Sequence, residues 1–169
     1  MFKLRHSDGV QPDALLASRL LDQDAFYPAF LDDLKKAKYE VIIESPFITM
    51  KRMSLLLPTL RQLAKRRVRL IVNTKPLYEH EPEYYVQAQQ AITQLQDLGA
   101  LVLFTGGHHR KLAIIDKRII WEGSLNILSQ NDSCEIMRRV YSEQLANQMI
   151  AFLQLEKFII SGTIGGSYE

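Results

Sequence analysis

The stretch that most constrains the fold of this chain lies between residues 106 and 126 and reads GGHHRKLAIIDKRIIWEGSLN. It contains two short apolar blocks, residues 112–115 and 119–121, that are rich in β-branched side chains. Lys117 and Arg118 form the polar break between them. Such blocks on either side of a tight turn are typical of two antiparallel strands. The sequence therefore predicts a β-hairpin here.

Four polar side chains flank the open end of the predicted hairpin. His109 and Lys111 precede or begin its first strand, and Ser124 and Asn126 follow its second strand. Because residues two apart on a strand point to the same face, each pair is expected to share a direction. The hairpin then brings together an imidazole, an ammonium, a hydroxyl and an amide. This set suits a phosphoryl group, since it combines a nucleophile or proton carrier with donors for anionic oxygens.

The spacing of these residues resembles the signature of the phospholipase D superfamily, H-x-K-x4-D-x6-G-S-x-N. The match holds at every fixed position between His109 and Asn126, including Asp116. Fixed residue types at fixed spacing make this a more specific signal than a short glycine motif. The resemblance implies that His109 is the nucleophile and that Lys111 and Asn126 hold the phosphate oxygens, with Ser124 in support. Asp116 is expected to fix the hairpin rather than to act directly.

The chain has one copy of the motif, because none of the other histidines, His6, His80 and His108, has a lysine two residues later. Superfamily members work with two facing motifs, and the short single-motif members are nucleases or phosphodiesterases that build the site across a homodimer two-fold. The resemblance therefore implies a homodimer that needs no metal and no cofactor. It also implies a supporting carboxylate about a dozen residues beyond Ser124, which here is Glu135.

The rest of the chain predicts alternating strands and helices. Apolar residues recur at helical spacing near residues 26–34, 53–64, 85–98 and 145–153, and strand-like blocks lie at 41–43, 69–73, 101–104 and 134–140. This order predicts an α/β fold, a phospholipase D-like α/β/α sandwich with a mixed, largely buried central sheet. Residues 1–24 are expected to form a lead-in with a short amphipathic turn around Leu15, Leu16, Leu20 and Leu21, residues 25–160 the domain, and residues 161–169 a flexible tail.

Charge and composition narrow the possible partners. The net charge of +2 does not by itself indicate nucleic acid, but residues 61–69 hold five positive charges and no negative one. That run is either a solvated helix end or a phosphate contact, and it makes Arg66 and Arg67 candidate substrate-binding residues. Phe47 is either a core residue or a residue that stacks on a base at the rim of the site.

The remaining histidines and the one cysteine predict little chemistry. Cys134 excludes an internal disulfide and is expected in the core. His80 is expected to be solvated in an acidic loop, and His108 to be a surface or packing residue that points away from His109. No apolar run has the length of a signal peptide or of a membrane span, so the sequence predicts a cytoplasmic protein without a membrane partner.

The leading hypothesis is a metal-independent nuclease that acts on nucleic acid, with DNA favoured over RNA. It could act alone or as a domain or partner of a helicase or restriction system. Two alternatives remain open: a lipid phosphodiesterase or phosphatidyl transferase, and a catalytically silent module for nucleic-acid binding or dimerisation. The motif does not distinguish single from double strands or endonuclease from exonuclease action.

Overall fold

A computed structural model describes residues 17–129, 133–155 and 157, which form a seven-stranded sheet and four α-helices. The strands are β1 (Arg19–Asp22), β2 (Glu40–Glu44), β3 (Arg69–Thr74), β4 (Leu101–Phe104), β5 (Leu112–Ile115), β6 (Ile119–Gly123) and β7 (Ile136–Tyr141). The helices are α1 (Gln23–Lys36), α2 (Met50–Lys65), α3 (Pro82–Asp97) and α4 (Glu143–Leu153), and a 3-10 turn covers Leu77–Glu79.

The sheet is mixed, with the strand order β1-β7-β6-β5-β2-β3-β4. Strands β2, β3 and β4 run parallel to one another, and every other neighbouring pair is antiparallel. Strands β5 and β6 form the predicted hairpin, in which Leu112 lies opposite Glu122 and Ile115 opposite Ile119. The sheet and its helices confirm the predicted α/β class.

Apolar side chains cover both faces of the sheet. On one face, helices α1, α2 and α3 pack over a core that contains Phe26, Phe30 and Trp121, with the Phe26 and Trp121 ring centroids 5.2 Å apart. On the other face, helix α4 packs against a second core that includes Ile114 and Val140. Burial on both sides explains why β2 and β3 read as continuous apolar runs in the sequence.

The first strand lies inside the segment that the sequence predicts to be a lead-in. Leu20 and Leu21 do not form a helical turn, because β1 pairs with β7 and places Leu21 opposite Met137. Asp22 then caps α1, since its carboxylate accepts a hydrogen bond from the Ala25 backbone nitrogen at 2.9 Å. The rest of the predicted lead-in, residues 1–16, and the predicted tail, residues 161–169, lie outside the described residues.

Two further expectations differ from the structure. Cys134 is exposed rather than in the core, because β7 begins two residues later at Ile136. His80 is buried rather than solvated, with 7% of its surface exposed. In the part of the chain that the structure describes, no helix has the length and apolarity needed to cross a membrane.

Candidate active site

The motif residues other than Asp116 lie at the edge of the sheet where the parallel strands β2 and β3 end. Glu44, the last residue of β2, lies opposite Leu112, the first residue of β5, and beside Asn73 of β3. Lys111 directly precedes β5, and Gly123 ends β6. Open α/β sheets bind their ligands outside the carboxyl ends of parallel strands, so this edge is the expected position for a site.

The first half of the site consists of His109 and Lys111. The Lys111 ammonium is half-buried and donates a hydrogen bond to the His109 carbonyl oxygen at 2.9 Å. The His109 side chain is exposed, and its imidazole makes no hydrogen bond or ion pair with other described residues. The lysine is therefore held in place, while the imidazole is open to a substrate or to a second molecule.

The second half of the site is built around Ser124. Its backbone nitrogen donates to the Ile136 carbonyl oxygen at 3.0 Å, and its hydroxyl accepts from the Ile136 nitrogen at 3.1 Å. The same hydroxyl donates to the Glu135 carboxylate in a short hydrogen bond. The second oxygen of Glu135 accepts from the Ser133 hydroxyl at 2.9 Å. Glu135 therefore orients Ser124, and it makes no hydrogen bond with the imidazole of His109 in the same chain.

Gly123 joins the two halves, and the local geometry explains why the motif has a glycine there. Its nitrogen donates to the Lys111 carbonyl oxygen at 3.3 Å. A Cβ atom at this position would lie 2.1 Å from the Ile136 carbonyl oxygen and 2.9 Å from the Met137 Cα. Both are backbone atoms that a side-chain rotation cannot move, so β6 and β7 reach this separation only with glycine.

Asn126 lies in a cleft of about 260 Å³ beside the second half of the site. Glu135 lines the same cleft, together with the aromatic rings of Phe47, His80 and Tyr84. The Asn126 side-chain oxygen is buried and has no hydrogen-bond partner among the described residues. This oxygen is an acceptor, and a buried acceptor without a partner is costly, so a group that donates a hydrogen bond to it would be favoured in the cleft.

Phe47 and His80 form the aromatic part of this cleft. Their ring centroids are 5.7 Å apart with the planes nearly perpendicular, and the Lys75 ammonium lies 4.8 Å from the centroid of the half-buried Phe47 ring. Burial lowers the pKa of His80 from its ordinary value. The cleft therefore presents aromatic surface beside a lysine, close to two residues of the predicted site.

A buried polar network beneath the motif was not predicted from the sequence. The Glu44 side chain is fully buried, and its carboxylate accepts from the Asn73 amide at 3.0 Å and from the Arg110 Nε at 2.7 Å. The His108 Nε2 lies 3.3 Å from the same carboxylate, without the geometry of a hydrogen bond. His108 and Arg110 flank His109, so the two neighbours of His109 anchor its backbone to the sheet. The one sign of this network in the sequence is Glu44, a charged residue at the end of an apolar strand.

The environment of His108 favours its neutral form. Burial is the largest cause and lowers the pKa of His108 below its ordinary value of 6.5. The charges of Arg110 and Lys111 lower it further, whereas the Glu44 carboxylate and a hydrogen bond to the Asn73 backbone act in the opposite direction. His108 is thus a buried packing residue in contact with a carboxylate.

The lowered pKa of His108 predicts a loss of stability in mild acid. Below about pH 6.5 the unfolded state binds a proton that the folded state resists. The free energy of unfolding should therefore decrease as the pH is lowered, by up to about 1.4 kcal/mol per pH unit for each such histidine. Urea unfolding between pH 5 and 8 measures this slope. His108→Gln should make it shallower, and His80→Gln separates the contribution of the second buried histidine. An unchanged slope in His108→Gln would contradict this account.

Asp116 lies at the opposite end of β5 from Lys111. Its carboxylate accepts hydrogen bonds from the backbone nitrogens of Lys38 at 2.8 Å, Tyr39 at 2.7 Å and Glu40 at 3.0 Å. These contacts fix the hairpin turn to the start of β2. Asp116 therefore has a structural environment, separated from the rest of the motif by the length of a strand, about 13 Å.

Arg66 and Arg67 also lie away from the motif. They follow α2 and lead into β3, whose far end holds Asn73 next to Glu44. The six residues of β3 place the two arginines about 20 Å along the sheet from the motif edge. The structure thus does not bring these two predicted substrate-binding residues to His109. Among residues 17–129, 133–155 and 157, no group of three or more His, Cys, Asp or Glu side chains could hold a metal ion.

The seven-stranded mixed sheet, with one H-x-K motif at the carboxyl edge of its parallel strands, defines the phospholipase D-like class of phosphodiesterase folds. A family model described as "Cardiolipin synthase, PLD-like domain" matches residues 30–155. The chain therefore belongs to this phospholipase D-like family. No curated protein sequence matches the chain at a significant level.

Solved structures share the fold at low sequence identity. The phospholipase D family member Nuc from Salmonella typhimurium superposes with a TM-score of 0.66 at 15% identity, over 82% of this chain and 91% of that one. NucT from Helicobacter pylori superposes with a TM-score of 0.66 at 16% identity, over 85% of this chain and 96% of the NucT chain. A phosphatidylserine synthase from Haemophilus influenzae superposes with a TM-score of 0.59 at 14% identity, over 83% of this chain and 39% of the synthase chain. At these identities the likeness concerns the fold.

Proposed function

We propose that this protein is a metal-independent nuclease that cleaves nucleic-acid phosphodiester bonds through a phosphohistidine on His109, at a site completed by a second copy of the chain. The observation that carries this proposal is the exposed imidazole of His109, which makes no hydrogen bond within the described residues, at the end of the hairpin where Lys111 and Ser124 are both held by hydrogen bonds. A free nucleophile among ordered donors is the arrangement that phosphoryl transfer needs.

The proposed reaction has two displacement steps. In the first, a ring nitrogen of His109 attacks phosphorus, the bond to the leaving oxygen breaks, and His109 of the partner subunit gives that oxygen a proton. In the second, water attacks the phosphohistidine while the partner's His109 takes a proton from it, and the phosphorus–nitrogen bond breaks. Histidines supply both nucleophile and acid, so the mechanism requires no metal and no cofactor.

The other motif residues stabilise charge or hold the site together. Lys111 and Asn126 of both subunits bind the non-bridging oxygens of the phosphate as negative charge develops. Glu135 keeps the Ser124 hydroxyl in place through the short hydrogen bond between them. Asp116 acts at a distance, by fixing the hairpin turn.

The homodimer is supported by the composition of the motif. One chain contains one H-x-K sequence, so a second histidine for proton transfer must come from another copy. Nuc and NucT are each matched over more than nine-tenths of their length, so those chains also hold one unit of this fold. The phosphatidylserine synthase chain is matched over 39% of its length and has room for a second unit.

Nucleic acid is favoured as the substrate by the cleft beside the motif. Phe47 and Tyr84 line it, and stacking of a base on an aromatic ring contributes about 1–3 kcal/mol in single-strand binding proteins. We assign the stacking role to Phe47, with DNA favoured over RNA. The description of the matched family and the phosphatidylserine synthase fold make a lipid phosphodiesterase or phosphatidyl transferase the second candidate.

The test is cleavage of labelled single- and double-stranded DNA and RNA in excess EDTA, with the molecular mass measured by light scattering on the same samples. We expect chelator-resistant cleavage by a protein of twice the chain mass of 19.5 kDa. Liposomes that contain phosphatidylglycerol and cardiolipin are assayed in parallel. Turnover of lipid with nucleic acid untouched would replace the nuclease proposal, and binding of nucleic acid without any turnover would favour a silent module.

A further inference from the structure

We propose that an open groove on the α4 side of the sheet binds the sugar-phosphate backbone of the nucleic acid beside the scissile bond; this inference rests on the proposed nuclease function. The groove has a volume of about 460 Å³, and we call it the backbone groove. The residues that line it include Leu20, Arg110, Lys111, Glu122, Ile136 and Arg138. Lys111 and Gly123 belong to both the motif and the groove, so the groove borders the proposed phosphate site.

The floor of the backbone groove is one row of side chains that crosses four strands. Leu112 lies opposite Glu122, Glu122 opposite Arg138, and Arg138 opposite Leu20. Residues paired in this way point to the same face of a sheet, and Leu112 places this row on the α4 face. Helix α4 packs over the neighbouring Ile120 and leaves Glu122 and Arg138 half-exposed.

The cations of the groove are held in defined positions. The Arg110 Nε is fixed at 2.7 Å from the buried Glu44 carboxylate, and its terminal nitrogens make no hydrogen bond within the described residues. Arg138 donates to the Ser18 hydroxyl at 3.0 Å. A guanidinium with its position fixed and its fork open is suited to a phosphate, because it loses little conformational freedom on binding.

The charge and the dimensions of the groove favour a polyanion. Three cationic side chains, Arg110, Lys111 and Arg138, line it together with the carboxylate of Glu122. Strands β5 and β7 are separated by β6, so Arg138 lies two strand spacings, about 10 Å, from the motif side. That distance exceeds one phosphate group, and Arg138 would therefore contact a phosphate next to the one that reacts. Arg66 and Arg67, the candidates for this role in the sequence, lie at the other end of the sheet.

The experiment measures binding without cleavage, in the His109→Ala background. Fluorescence anisotropy of a labelled single-stranded oligonucleotide gives Kd over a range of salt concentrations. Adding Arg138→Ala should raise Kd about 5–10-fold at 0.1 M salt and reduce the slope of log K against log salt by about 0.7, the value for one lost phosphate contact on a single strand. Arg138→Lys should restore most of the slope, because it keeps the charge.

Arg67→Ala is the matched control, since it removes the same charge from the far end of the sheet. It should leave the salt slope unchanged. Equal losses in Arg138→Ala and Arg67→Ala would overturn the groove and indicate a long-range effect of net charge. A fall in mass caused by Arg138→Ala, with an unchanged salt slope, would identify the groove as a contact between subunits instead. If the Arg138→Ala variant binds the oligonucleotide as tightly as its parent, while the wild-type protein cleaves, the groove proposal is refuted and the nuclease proposal stands. If the wild-type protein neither binds nor cleaves the oligonucleotide, the proposed function is refuted as well.

Discussion

Substitution of His109 by alanine should reduce phosphodiester cleavage by at least about 10³-fold. In a homodimer with a shared site, one substitution removes both the nucleophile and the general acid, because each subunit supplies one of the two histidines. The loss should appear in kcat, since Lys111 and Asn126 remain to bind the substrate. Cleavage of a labelled oligonucleotide in EDTA, at enzyme concentrations above Kd, separates this effect from weaker binding.

Folding should be unaffected by this substitution. The His109 side chain is exposed and makes no hydrogen bond with other described residues, so the free energy of unfolding should change by no more than about 0.5 kcal/mol. Arg118→Ala is a suitable control for activity, because Arg118 is exposed in the turn at the other end of the same hairpin. If His109→Ala keeps more than a tenth of wild-type activity while Arg118→Ala is fully active, His109 is not the nucleophile.

The hairpin could be predicted because it depends on local sequence. Strand β5 has four residues and β6 has five, and three residues separate them. Two β-branched apolar blocks on either side of a short turn are enough to predict that they pair. The same local spacing places Lys111 near Ser124. The motif specifies a glycine at position 123, but it does not explain why a glycine is needed there. The explanation is the close approach of the Ile136 carbonyl oxygen, which belongs to another strand.

What the sequence did not predict depends on contacts between distant residues. Strand β1 has only four residues, and its partner β7 lies more than a hundred residues later, so Leu20 and Leu21 read equally well as a helical turn. Arg66 and Arg67 stood out as a basic run, yet the direction of β3 places them away from the motif. Arg138 lies outside that run, next to Arg139, and pairing of β7 with β6 brings it to the groove.

Glu44 is the clearest case of such a long-range contact, and its removal should have the largest effect on stability. Glu44→Ala should lower the free energy of unfolding by about 2–3 kcal/mol, because it leaves the buried Asn73 amide without its partner and removes the charge that pairs with the partly exposed Arg110. That loss is a large part of the total of about 5–15 kcal/mol that a typical domain has. Urea unfolding monitored by circular dichroism measures it.

Two further variants separate the charge of Glu44 from its shape. Glu44→Gln keeps the length of the side chain and an oxygen for Asn73, so its cost should be smaller than that of alanine, and the cost that remains reports the pairing of the charge with Arg110. Glu143→Ala is the matched control: the ion pair of Glu143 with Arg118 is exposed at 3.8 Å and should contribute less than about 1 kcal/mol. A loss below about 1 kcal/mol in Glu44→Ala would mean that the buried network does not stabilise the fold. If the loss is large, the backbone that carries His109 and Lys111 depends on a carboxylate that no local motif contains.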